Sequence, residues 1–295
     1  MQQSPGSVGP ATLVTRWFTR NRGLALGVVH LPVVIAVLPV ALNAYLKSHG
    51  AQASYLALGT FAAIALVPLT LLARDYPPGY RKSAATASGA RTADGSFTVP
   101  QLLAAPRFWA LCIAAIASMT SSVVLSALLV PMGVSWGFSR GQAALLASGM
   151  SAVGLLGSIL FGWIADRLGG ARALALIGLD CAILWALLAL HWPFPIVAVI
   201  VGLIGMHGAG AIPTLSRGLS DVFGQASFSR AFGLNTIIGL PFIALGVIGA
   251  ASVQAATGSY VPAQLAIAGF FVVAIGLALY AASGRKTPAE APPLA

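Results

Sequence analysis

Residues 143–172 read AALLASGMSAVGLLGSILFGWIADRLGGAR. No charge occurs from Ala143 to Ala165, and then Asp166, Arg167 and Arg172 follow in close order. At about 1.5 Å per residue, an apolar helix of this length crosses a hydrocarbon core of about 30 Å. The stretch is one period of a pattern that fills the chain. Apolar runs lie at 24–46, 53–73, 108–131, 143–165, 173–190, 194–216, 231–253 and 261–283, with short polar connections between them. The basic residues crowd into every second connection. One set holds Arg16, Arg20, Arg22, Arg74, Arg81, Lys82, Arg91, Arg107, Arg167, Arg172, Arg217, Arg230, Arg285 and Lys286, and the other only Lys47 and Arg140. Retained cations fix topology, so the asymmetry counts the spans and places both termini in the cytoplasm.

Composition agrees. The chain is 58% hydrophobic and 7% charged, against about 25% charged in a soluble domain. The pattern predicts an all-α polytopic membrane protein with eight transmembrane helices in the plasma (inner) membrane. Gly and Ala inside the runs and the lack of period-two alternation argue against a barrel. A net charge of +10 would suggest nucleic acid in a soluble protein. Here the cations read as topology determinants, and no basic stripe interleaved with aromatics points to nucleic acid. Cys112 and Cys181 fall within spans and read as packing thiols. The first 15 residues have neither the basic start nor the apolar core of a cleavable signal, so the span from Leu24 is expected to be its own insertion signal.

The organisation follows from the spacing. Two spans occupy 1–74, and a Ser-, Ala-, Thr-, Gly- and Pro-rich segment at 75–106 reads as a mobile cytoplasmic linker. Six spans fill 107–285, and 286–295 is a cytoplasmic tail. Ser139 is an expected N-cap for the fourth span. Gly154, Ser158 and Gly162 stand four residues apart there, forming a stripe that admits a neighbouring helix. Ser216 to Arg230 is expected to be a cytoplasmic connection, and Trp192 an interfacial aromatic.

Three motifs carry a family resemblance. Arg16-Trp17-Phe18-Thr19-Arg20-Asn21-Arg22-Gly23-Leu24-Ala25-Leu26-Gly27 resembles the segment leading into the fifth helix of major facilitator superfamily transporters, and is closest to their monocarboxylate and oxalate/formate branch. Gly162-Trp163-Ile164-Ala165-Asp166-Arg167-Leu168-Gly169 is similar to the signature loop between the superfamily's helices eight and nine. Arg230-Ala231-Phe232-Gly233-Leu234 and Thr257-Gly258-Ser259-Tyr260 resemble the same branch near helix eleven. The likeness implies the last two helices of an N-terminal half followed by a complete C-terminal six-helix half, without the first four helices. The family's basic residues give way to Gly170 and Ala171, and a family Asp gives way to Ala255. The family's monocarboxylate carriers bind carboxylate through an Arg four residues before the loop glycine, and Ser158 stands there in this chain.

Candidate residues divide into a loop and a pathway. In Gly162, Asp166, Arg167, Gly169 and Arg172, the carboxylate can cap a helix end, and the guanidinia can pair with carboxylates or helix C-termini of a facing bundle. The resemblance implies that such a loop controls interconversion between transport states; a solvated loop of topology-setting cations is the plainer reading. Asp180 lies eight residues past Arg172, about 12 Å into its span. A charge there costs about 2.5–3.5 kcal/mol on insertion scales, so it should face protein or water, or hold a proton. It reads as a proton-coupling or substrate-path carboxylate, or as a structural Asp bonded to a neighbouring helix. His30, His207, Ser118, Thr120, Ser121, Ser158 and Asn235 are the other pathway candidates, with helix–helix hydrogen bonding as their alternative role. No metal-ligand spacing, phosphate-binding loop or nucleophile–base grouping occurs. The expectation is therefore no cofactor, no metal and no enzymatic activity.

Two functions fit. In one, a secondary transporter moves a small solute, an organic anion by resemblance, using an ion or substrate gradient, with the lipid bilayer, the solute and a coupled proton as partners. In the other, the chain is a non-transporting fragment, or one part of a split or oligomeric carrier whose partner supplies the missing helices.

Overall fold

The computed structural model describes residues 13–14, 17–18, 22–29, 45, 49–50, 52–64, 68, 96–190 and 192–283. They are helical almost throughout, and no strand occurs among them. The candidate His30 lies outside the described residues, as do most basic residues of the N-terminal third and the tail. Residues 32–81 form one compact unit, in which 52–64 are helical and the Tyr45 ring stacks on His49 at 4.2 Å. The second unit joins 1–31 to 82–295. It contains α1 (Arg22–Val29), α2 (Val99–Ala104), α3 (Pro106–Ser135), α4 (Arg140–Leu168), α5 (Gly170–Leu188), α6 (Phe194–Thr257) and α7 (Val261–Ala282).

Among the described residues, α3 to α7 are five helices long and apolar enough to cross a membrane. α6 has 64 residues, about 96 Å of helix, three times the hydrocarbon thickness. Gly224 resolves this: its φ of 73° and ψ of 171° break the helical path. A residue with a Cβ resists that conformation, which glycine adopts freely. The break divides α6 into limbs of 194–223 and 225–257, so the 106–282 region supplies six spans, as the charge pattern predicts. The expected connection from Ser216 to Arg230 is helical on both sides of the break. Arg217 and Asp221 are four residues apart and pair at 3.1 Å, so polar residues there extend the helix beyond the apolar run.

Helix ends follow local chemistry. Ser139 is the expected N-cap of α4: its Oγ accepts from the Gln142 amide at 3.2 Å, and Gln142 Oε1 accepts from the Ser139 amide at 3.0 Å. Together they complete a capping box. The end of the segment read as a linker is structured. α2 has a capping box of its own at Thr98, the Phe97 amide donates to Ser227 Oγ at 2.8 Å, and Arg230 donates to the Phe97 carbonyl. Residues 75–95 of that segment lie outside the described ones.

α6 packs against both α3 and α4, α7 lies on α5, and α1 lies on α4. The core holds Phe108, Leu111, Leu125, Leu129, Trp185 and Phe228, all fully buried. Large apolar residues such as Leu145, Leu156, Val199, Ile237, Leu245 and Val272 are exposed. Such a surface suits lipid rather than water. Lipid tails are as apolar as leucine, so helix association in a bilayer draws on close packing and hydrogen bonds. The small-residue stripe of α4 supplies the packing, but for two neighbours. A Cβ on Gly154 would approach the Gly205 carbonyl of α6, and one on Gly157 would collide with the Met206 backbone. Further along, Gly162 meets the Gly23 carbonyl of α1, and the Ser158 carbonyl meets Gly27.

Candidate functional site

The stripe brings the start of α1 against the end of α4, where Asp166 stands. The first amides of a helix lack intrahelical acceptors and carry the positive end of its dipole. Asp166 satisfies two of them, with Oδ1 accepting from the Gly23 amide at 2.8 Å and Oδ2 from the Leu24 amide at 2.9 Å. A Cβ at Gly23 would meet both the Gly162 carbonyl and this carboxylate, so the approach requires glycine on both helices. The Arg217 guanidinium stands 3.6 Å from Asp166 Oδ1. Arg217 also pairs with Asp221, whose Oδ2 accepts from the Gly170 amide at the start of α5 at 3.2 Å. A chain of polar contacts thus joins α1, α4, α6 and α5 through Asp166, Arg217 and Asp221. All three side chains are largely shielded from solvent.

The other loop residues take distinct places. Arg167 lies over the Trp163 ring, 3.9 Å from its centroid, a cation–π contact within α4. Gly169 has a φ of 86° and joins the α4 C-terminus to the α5 N-terminus. Arg172 is exposed and lines a cleft of about 320 Å³ with Arg107 and Asp221. Among the described side chains, Arg217 is the cation that meets Asp166, and the loop motif does not contain it. Its spacing to Asp221 is the signal in the sequence that could have found it.

Asp180 and His207 meet within the spans. His207 Nε2 is 3.1 Å from Asp180 Oδ2, and His207 Nδ1 faces the Leu203 carbonyl. The His207 side chain is 3% exposed and that of Asp180 is 42% exposed. The Phe161 ring of α4 lies on the imidazole with centroids 5.0 Å apart. The carboxylate and the imidazole, separate candidates in the sequence, form one site.

The remaining candidates are scattered. Ser121 Oγ accepts from Trp185 Nε1 at 2.7 Å in a fully dry contact between α3 and α5. Ser118 Oγ donates to the Ala114 carbonyl of its own helix at 3.2 Å. Ser158 is fully buried against α1, its Oγ donating to the Leu155 carbonyl at 3.2 Å. Thr120 Oγ1 and Asn235 Oδ1 are buried with no hydrogen-bond partner among the described residues. No group of three or more His, Cys, Asp or Glu that could hold a metal occurs among the described residues.

These helices and contacts define a multi-pass helical membrane protein, and solved structures identify its fold as that of the major facilitator superfamily. The fucose:proton symporter FucP of E. coli, in a single-residue variant, superposes with a TM-score of 0.64 at 17% identity, over 92% of this chain and 72% of that one. A second FucP structure, described as a major facilitator superfamily transporter in the outward conformation, gives 0.59 at 19% identity, over 88% and 68%. No protein-family model matches the chain, and no curated protein matches it by sequence.

Proposed function

We propose that the chain acts as a secondary transporter of the major facilitator type, moving a small solute by alternating access under an ion or substrate gradient. The observation that carries this reading is the Asp166 contact, which ties α1, from the N-terminal part, to α4 of the 107–285 bundle. Alternating access needs such a contact between the two halves to form in one state and break in the other. The positive-inside rule puts the Asp166 end in the cytoplasm, with both termini. The contact then closes the cytoplasmic side, in keeping with the outward conformation of the second FucP structure. In this reading 1–74 belongs to the N-terminal half, 75–106 links it to the six-helix half at 107–285, and 286–295 is a tail in the plasma membrane's cytoplasmic face. Gly162, Asp166, Arg167, Gly169 and Arg172 form the gate, with Arg217 added. Asp180, His207, Thr120 and Asn235 contribute to the pathway.

Two solute classes are in view. The sequence resemblance favours a small organic anion, and one solved neighbour is a fucose:proton symporter. Ser158, buried against α1, offers no cation to a carboxylate. The test is uptake of labelled hexoses and monocarboxylates by the chain in liposomes under an inward proton gradient. Saturable uptake of one solute is expected, falling at least tenfold in Asp166→Asn while membrane insertion is unchanged. A correctly inserted chain that takes up none of them would overturn the proposal in favour of a non-transporting or split form.

A further inference from the structure

The Asp180–His207 contact fixes its own proton count. The Leu203 carbonyl can only accept a hydrogen bond, so His207 Nδ1 must carry the hydrogen between them. Nε2 then faces Asp180 Oδ2 at 3.1 Å in one of two ways. It carries a second hydrogen and donates to a carboxylate, or it is a bare lone pair that accepts from a carboxylic acid. Both arrangements contain the same single proton between the side chains, and both leave the pair without net charge. Once that proton is gone, a lone pair faces a carboxylate and the contact becomes repulsive.

We infer that Asp180 and His207 form a one-proton binding site whose protonation holds α5 against the first limb of α6, and whose deprotonation releases them. Position supports this. Asp180 lies ten residues beyond Gly170, about 15 Å along the helix and so near mid-membrane, where an uncompensated carboxylate is costly. Its side chain is 42% exposed while that of His207 is 3% exposed, so His207 is the enclosed partner of the pair. The consequence of release reaches the gate. The imidazole packs on Phe161 of α4, five residues before Asp166.

No other charged group in these helices competes for the proton. On α4 the ionisable residues are Arg140, Asp166 and Arg167, and on α6 they are Arg217, Asp221 and Arg230 besides His207. Arg217 is ten residues from His207, about 15 Å along the helix. α3 adds Arg107 and Cys112, α5 adds Arg172 and the buried thiol Cys181 beside Asp180, and α7 carries only Tyr280.

Use of the site for coupling rests on the transporter reading, but proton binding can be read without transport. The probe is the ring nitrogen spectrum of the chain labelled with nitrogen-15 histidine in lipid nanodiscs, with His207→Gln assigning the signal. His207 is expected to keep its hydrogen on Nδ1 at every pH. Asp180→Asn should weaken its proton affinity at least tenfold, and Asp180→Glu should restore it. A hydrogen on Nε2 alone in the neutral ring, or an unchanged affinity in Asp180→Asn, would overturn the site. In liposomes, Asp180→Asn should lose uptake driven by the proton gradient while keeping exchange of solute for solute. Driven uptake at the unmodified rate would overturn the coupling role and leave the proton site standing. Absence of any uptake by the unmodified chain would instead count against the transporter reading.

Discussion

Asp166 and Gly23 lie 143 residues apart and are joined by a 2.8 Å hydrogen bond from the Gly23 amide to Oδ1. With the Leu24 amide on Oδ2, a single carboxylate caps the start of α1 from another helix. This is a charge-assisted contact in a shielded place, which distinguishes it from a solvated surface pair.

Removing the carboxylate should therefore cost more than a surface ion pair does. Asp166→Ala leaves two helix-start amides without an acceptor and is expected to destabilise the chain by about 2–3 kcal/mol. Asp166→Asn keeps a carbonyl for one amide and should cost less. The Asp166–Arg217 part alone, measured by a double-mutant cycle with Arg217→Gln, should be about 1 kcal/mol. Thermal unfolding in detergent, followed by helical circular dichroism, would check the order. Equal losses for Ala and Asn would mean that an uncharged carbonyl at this position gives the amides nothing.

The approach of α1 to α4 makes a second, steric expectation. Gly162→Leu places a side chain where the Gly23 backbone sits, whereas Gly149, on the same helix, has nothing within 4 Å of its would-be Cβ. Overpacking costs about 1–3 kcal/mol. Gly162→Leu should lower the melting temperature by several degrees, and Gly149→Leu should leave it unchanged. A cysteine pair placed across α1 and α4 should also lose cross-linking in the Gly162 variant.

The features legible in sequence were those set by solvent and by local spacing. Apolar length and basic asymmetry predict the spans of the 106–282 region, because hydrocarbon thickness and charge retention act on each segment separately. The Ser139 cap is legible for the same reason. The Asp166 motif points to a helix-end cap, yet the motif cannot name the helix it caps, since Gly23 and Leu24 come near only after packing. Asp180 and His207 belong to different spans, and nothing in their spacing pairs them. Polar composition marks Ser216–Arg230 as a connection but does not reveal that it is helical. The Arg217–Asp221 spacing and the break at Gly224 build it from two helix ends. Arg167 shows the limit from the other side: its charge suggests a distant carboxylate, while Trp163 lies one turn away on its own helix.

The serines of α3 separate structural from exposed polar roles. Ser121 accepts the buried Trp185 indole, and Ser118 bonds only to the preceding turn of its own helix. Ser121→Ala strands a buried donor, which costs about 1–3 kcal/mol, while Ser118→Ala removes a donor whose carbonyl acceptor remains in the helix ladder. The melting temperature should fall clearly in the first and little in the second. The near-ultraviolet circular dichroism of Trp185 should change in Ser121→Ala alone.

Gly224 tests the joint between the two limbs of α6. Its φ of 73° lies where a side chain is strained, and no atom stands within 4 Å of an added Cβ. Substitution there acts through backbone strain and not through a clash. Gly224→Ala should cost about 1–3 kcal/mol, because at this ψ of 171° the backbone lies outside the left-handed helical region, in one where essentially only glycine is found. Strain at the joint favours continuation of the helix across 224, which turns the second limb and pulls Phe97 from its place between Ser227 and Phe223. The expected result is faster proteolysis near residues 96–104 in Gly224→Ala than in the unmodified chain. Equal protection in both would show that the limbs hold their angle without help from the glycine.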